Sequence, residues 1–203
     1  MKKEFSPKEK TQYKFLLNVL GSLFSNIPLE NNNQIDFRDL YFTSAKSRVA
    51  NMVSYALEKS KINVPKEIMD MFVRCRKFML MKDASQFSAT KKLISEFEIQ
   101  GIDNLLVKGQ FIKDTYPQPD FRVTNDVDVH IKSKDIEKAR TILSGLDYRI
   151  IESTDDLIVA VQDPFVQFEI HCDNGNFRNS TFTENLFSNA NLVDNTNHTY
   201  KFT

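Results

Sequence analysis

The sequence predicts an α+β (α/β) protein, an N-terminal helical region followed by a mixed β-sheet with flanking helices, and three observations lead there. Apolar residues recur at helical spacing through the first hundred positions. From Gly101 the composition shifts to short β-branched runs separated by turn residues. A chain of 203 residues with 41% hydrophobic content can build one domain, or one domain with a helical annex. The change of pattern puts the boundary at 100–104, with a helical region over 1–100 and a sheet-bearing core domain over 101–203.

The first helix is carried by Tyr13, Leu16, Leu17, Leu20, Leu23 and Phe24, spaced by threes and fours, and it ends at Pro28 and the Asn31-Asn32-Asn33 run. A second begins at Asp36 as N-cap and shows a continuous stripe of Phe37, Leu40, Tyr41, Ala45, Val49, Met52, Val53, Ala56 and Leu57, the pattern of a face packed on a core. A third segment opens with Pro65 in its first turn and runs through Ile68, Met71, Phe72, Cys75, Phe78 and Met79 to Leu93, Ile94 and Phe97. The spacing fits one long helix or two. Arg74, Arg76, Lys77, Lys82, Lys91 and Lys92 make this segment basic, which suits a solvated face or the flank of a triphosphate or phosphorylated acceptor.

Beyond the boundary, Leu105-Leu106-Val107 reads as a short buried strand running into Lys108-Gly109-Gln110 and then a helix. Tyr116-Pro117-Gln118-Pro119 is a stiff loop that ends this helix and aims Arg122. A strand follows through Asp126 to Ile131, then a helix N-capped by Ser133, running to about Leu143 and stopped by Gly145. Residues 148–151, 157–161 and 166–171 read as consecutive strands, with turns at Ser153-Thr154-Asp155 and Asp163-Pro164. The tail is Asn-rich, with a short helix over 183–187 and a last strand at 200–202.

Side chains alternate along a strand, so Asp126 and Asp128 share one face while Val127, Val129 and Ile131 take the other. Two like charges so close repel, and either a divalent cation or a solvated edge relieves them. The run Phe165-Val166-Gln167-Phe168-Glu169-Ile170-His171 alternates too, adding Glu169 as a third carboxylate with His171 on the same face. His130 shares the face of Asp128 and reads as an exposed strand-end histidine. A strand ending in glycine at a helix start offers free N–H groups and a positive dipole end, which suits phosphate. Lys108 either caps its strand or meets that phosphate; Arg122 either grips it with a bidentate fork or pairs with Asp120 or Asp126.

The 27 basic and 27 acidic side chains balance to zero, so nothing in the charge demands nucleic acid or a membrane surface. No apolar run approaches the roughly 18 residues of a membrane span, and MKKEFSPKEK is not followed by a signal-type apolar block. The expected location is cytoplasmic. Cys75 and Cys172 stand far apart without C-x-x-C spacing, as free thiols, so any metal is oxygen-bound.

The order h-G-x, h-D-h-D-h, h-[DE]-h resembles the DNA polymerase beta-type nucleotidyltransferase superfamily. The fuller string VKG…YPQPDFRVTNDVDVHI…FEIH is similar to its branch of uncharacterised nucleotidyltransferase-like proteins, which reads LKG…YP.P..R…D[IV]D…E[IL]H. The resemblance covers Gly101 to about Asp173. It implies a nucleotidyltransferase-type sheet and transfer of a nucleoside monophosphate from an NTP, with ATP among the nucleotides expected, to a hydroxyl on a small molecule or protein, with release of pyrophosphate. It implies two Mg²⁺ ions, with Mn²⁺ as a substitute, held by Asp126, Asp128 and Glu169 as catalytic residues. Lys108, Gly109, Gln110 and Arg122 then bind the triphosphate, and His171 either orients a metal-bound water or the acceptor or is a structural histidine of the sheet. Gln110 stands where much of the wider superfamily has serine, which keeps a second reading open: a catalytically inactive nucleotide-binding or partner-binding module on the same fold. Members of this branch usually continue into further helices that close the cleft. Here the N-terminal helices, or those of a second copy in a homodimer, are expected to take that place.

Overall fold

A computed structural model of the chain describes residues 5–25, 28–30, 34–107, 112–113, 115–122, 124–173 and 186–202. Two compact units divide it, residues 1–81 and 82–203.

The first unit is helical. Helix α1 (Pro7–Gly21) starts in a capping box: Ser6 accepts from the Glu9 N–H, the Glu9 carboxylate accepts from the Ser6 N–H, and Pro7 fills the first turn. Helix α2 (Phe37–Lys46) begins where Asp36 accepts from the N–H groups of Arg38 and Asp39. The continuous stripe from Asp36 to Leu57 is not one helix. It breaks at Ser47-Arg48-Val49 and resumes as α3 (Ala50–Lys59). Arg48 adopts φ 58°, the Val49 N–H bonds back to the Ser44 carbonyl and the Arg48 N–H to that of Ala45, which is a Schellman termination built without glycine. The stripe survives because both helices feed one core of Phe15, Leu16, Val19, Leu40, Val53, Leu57 and Phe72.

The third segment is a single helix, α4 (Lys66–Ile99), 34 residues long. Ile68 and Phe72 belong to the helical core, whereas Leu93 and Phe97 belong to the core under the sheet. The contacts therefore divide at 81/82, inside the helix, while the composition changes at 100–104. Gly101, at φ 67°, ends α4 in a second Schellman turn, with the Ile102 N–H on the Phe97 carbonyl.

Among the described residues, the second unit holds a seven-stranded mixed sheet, ordered β3-β4-β5-β2-β1-β7-β6. Its strands are β1 (Asn104–Leu106), β2 (Val127–Lys132), β3 (Arg149–Ser153), β4 (Leu157–Gln162), β5 (Val166–Asp173), β6 (Asn191–Leu192) and β7 (Thr199–Lys201). Pairs β2/β5 and β1/β7 are parallel and the rest antiparallel. After β2, a 3₁₀ turn at Ser133–Asp135 leads into helix α5 (Ile136–Gly145). Gly145 does not stop α5. The left-handed position falls two residues later on Asp147, φ 63°, where the Tyr148 N–H reaches the Leu143 carbonyl.

Strand alternation sorts the sheet into two faces. Val127, Val129 and Ile131 lie in register with Phe168, Ile170 and Cys172, and join Ile158, Ala160 and the inward side chains of α4 and α5 in the main core. Asp128 and His130 lie opposite Glu169 and His171 on the other face. The predicted 183–187 helix falls mostly outside the described residues; its end enters a 3₁₀ turn, Phe187–Asn189, and Leu186 packs with Leu105 and Val107.

Candidate functional site

Parallel pairing of β2 with β5 puts Asp128 directly beside Glu169, and His130 beside His171. Every second residue of the two strands is drawn into the core, so the residues between them must share the opposite face. Asp128 is 6% exposed, while Glu169 and His171 are half-buried. One carboxylate oxygen of Asp128 lies 3.3 Å from His171 Nε2, and a Glu169 oxygen lies 3.7 Å from the same nitrogen. Ligating atoms of the three side chains all fall within 4.8 Å of one another.

Neighbouring side chains hold two of these three in place. Gln167, two residues earlier on the same face, donates through Nε2 to the other Glu169 oxygen at 3.1 Å. The His130 ring stacks on that of His171 at 5.1 Å between centroids, 22° from parallel, which fixes the plane of the imidazole. His130 is thus half-buried in the cluster, where the alternation alone suggested a solvent-facing strand end.

Asp126 lies just outside the paired strand. β2 begins at Val127, and Asp126, half-buried, is not among the three side chains that converge. The strand expected from Asp126 is therefore one residue shorter, since the register with β5 starts at the Val127–Phe168 pair. Arg122 ends the 3₁₀ turn Pro119–Phe121, in which Asp120 and Phe121 are buried. Among the described residues its buried Nε has no hydrogen-bond partner. Lys108, Gly109 and Gln110, with the helix predicted after them, lie outside the described residues.

Spacing did not reveal two buried polar links made by α4. Gln86 of α4, 1% exposed, donates to the carbonyls of Thr124 and Asn125 and accepts from the Thr124 hydroxyl. Lys113, also buried, pairs with Asp83 of the same helix. At the far side of the sheet Glu98 accepts from the N–H groups of Asn197 and His198 and from the Thr199 hydroxyl, tying β7 to the end of α4. Asp103 accepts from Lys132 Nζ and sits 2.8 Å from His198 Nδ1. Burial pushes both carboxyls up but the donors outweigh it, so Glu98 and Asp103 titrate below their ordinary values. Each of these links joins residues about 30 to 100 positions apart, which no local pattern signals.

Two carboxylates and an imidazole with ligating atoms this close are a donor set that could hold a divalent cation. No helix of the described residues is long and apolar enough to cross a membrane. No curated protein and no solved structure is significantly similar to the chain. Residues 33–202 match the model of the family described as uncharacterised nucleotidyltransferase, across both the long helix and the sheet. With four-fifths of its length covered, and with the paired acidic strands described above, the chain belongs to the uncharacterised nucleotidyltransferase family.

Proposed function

We propose that this protein transfers a nucleoside monophosphate from an NTP to a hydroxyl acceptor and releases pyrophosphate, with Asp126, Asp128 and Glu169 holding two divalent cations, Mg²⁺ or Mn²⁺. The observation that carries the reading is the meeting of Asp128, Glu169 and His171 on one sheet face in a chain of this family. In the reaction the acceptor oxygen bonds to the α-phosphorus while the bond from that phosphorus to the bridging oxygen of the β-phosphate breaks, and pyrophosphate leaves. Cations held by these side chains would supply positive charge to offset that of the triphosphate.

The chain's own part is to orient and to move a proton. Glu169, held through one oxygen by Gln167, keeps its other oxygen toward His171 and serves as acceptor of the hydroxyl proton. His171, stacked on the His130 ring, orients the Asp128 carboxylate through Nε2. Arg122 supplies a guanidinium to the phosphates; support for that role is the buried Nε without a hydrogen-bond partner among the described residues. Lys108, Gly109 and Gln110 complete the phosphate contacts in this reading.

The test is pyrophosphate release from each of the four NTPs, with Mg²⁺ and with Mn²⁺, over a panel of small-molecule and protein hydroxyl acceptors. The expected result is release with at least one NTP–acceptor pair and loss of it in Asp128→Asn. Nucleotide binding without release across the panel would instead identify a binding module.

A further inference from the structure

Asp126 stands one residue ahead of the β2–β5 register, so its position depends on the two residues before it. Those residues are held from another element. Gln86 Nε2 donates to the carbonyl oxygens of Thr124 and Asn125, each at 3.4 Å, and Gln86 Oε1 accepts from the Thr124 hydroxyl at 3.0 Å. One turn earlier on α4, Lys82 Nζ donates to the Asn125 side-chain oxygen at 3.4 Å. The loop thus presents two acceptors and one donor to residue 86, and a primary amide matches that pattern. A carboxylate offers no donor, and a hydrocarbon offers neither.

The core does not call for an amide at this position. Gln86, Thr90, Leu93 and Phe97 form the buried stripe of this half of α4, and leucine at 86 would extend it with apolar surface. The polar end of the stripe is the one facing the loop that leads to Asp126. We infer that Gln86 is a positioning residue for Asp126: by pinning Thr124 and Asn125 to α4, it fixes where the Asp126 carboxylate stands relative to Asp128 and Glu169. The inference rests on the proposed role of Asp126 as a cation ligand.

The experiment measures Mn²⁺ binding to the full chain, by the electron paramagnetic resonance signal of the free ion, beside thermal melting. The variants are Asp126→Asn, Gln86→Leu, Gln86→Glu and the double Gln86→Leu/Asp126→Asn. Expected are a weakening of about tenfold in each Gln86 variant, the usual scale for groups that orient a ligand, and a double variant no weaker than Asp126→Asn alone. Native affinity in Gln86→Leu, or losses in the double variant that multiply those of the singles, would overturn the inference while leaving the cation site in place. A Gln86→Leu chain that fails to fold is replaced by Thr124→Val, which removes one clamp bond from the loop side and must also weaken Mn²⁺ binding in a manner masked by Asp126→Asn. Absence of Mn²⁺ binding by the native chain, or native affinity in Asp126→Asn, overturns the proposed function of that carboxylate and the inference with it.

Discussion

Asp128 and Glu169 lie side by side yet differ in surroundings: Asp128 is almost wholly buried and meets His171, whereas Glu169 keeps part of its surface in water. The buried carboxylate has fewer waters to replace a missing cation, so its loss should matter more. Asp128→Asn is expected to weaken Mn²⁺ binding about a hundredfold and Glu169→Gln about tenfold, with the melting temperature of Asp128→Asn unchanged or raised because a like-charge contact is removed. Calorimetric titration beside a melting curve reads both. The two thiols separate by the same logic. Burial pushes the Cys172 thiol up to about 11, with Asp156 adding to it, and the residue is 1% exposed, while Cys75 is half-buried. Iodoacetamide on the native chain should therefore label Cys75 well before Cys172, read by peptide mass spectrometry. The face shared by Asp128, His130, Glu169 and His171 was legible in the sequence because strand alternation is a property of the chain itself. That Asp126 falls outside the ladder was not, since the first paired residue depends on β5, forty residues away. Gln86 carried no signal, because a glutamine within a helical stripe acquires meaning only from the loop it meets.

At the level of elements, the starts of α1, α2 and α4 were legible from caps and first-turn proline, whereas α3 starts after Val49 without a side-chain cap and α5 after Asp135 in place of the expected cap at Ser133. The stops were less legible. α4 ends at Gly101 as its sequence suggests, but α2 and α5 end on Arg48 and Asp147, residues that take the left-handed conformation because the following chain is pulled back to the core through Val49 and Tyr148. A side chain there costs about 1 kcal/mol relative to glycine. Arg48 is exposed, so Arg48→Gly should stabilise the chain by up to about 1 kcal/mol, partly offset by the greater freedom of glycine when unfolded; a lower urea midpoint would refute this. The β7 tether responds to pH. Glu98 and Asp103 have folded values below their unfolded ones, so their stabilisation is present above about pH 4 and is lost as pH falls through the folded values. Lys132, raised chiefly by the hydrogen bond it donates to Asp103, acts oppositely and fades only as pH rises through its own elevated value. Urea midpoints should hold from about pH 5 to neutrality and drop below about pH 4, and Asp103→Asn should flatten that drop.

For the whole molecule, composition marks the change from helix to sheet at 100–104, whereas the contacts divide at 81/82 because one 34-residue helix serves two cores. A hydrophobic pattern reports that a helix face is buried without reporting which core buries it, so Phe72 and Leu93 look alike in sequence. Each unit has its own apolar cluster and the helix is common to both, so unfolding of either removes the support of one end of α4. Met81 sits at the division and is 59% exposed, so a proline there breaks the helix with little loss of packing, at about 3 kcal/mol. If α4 couples the units, scanning calorimetry should give one transition for the native chain and for Met81→Ala, and two resolved transitions for Met81→Pro. A single Met81→Pro transition, shifted downward but with undiminished cooperativity, would show that the units are coupled by something other than the continuous helix.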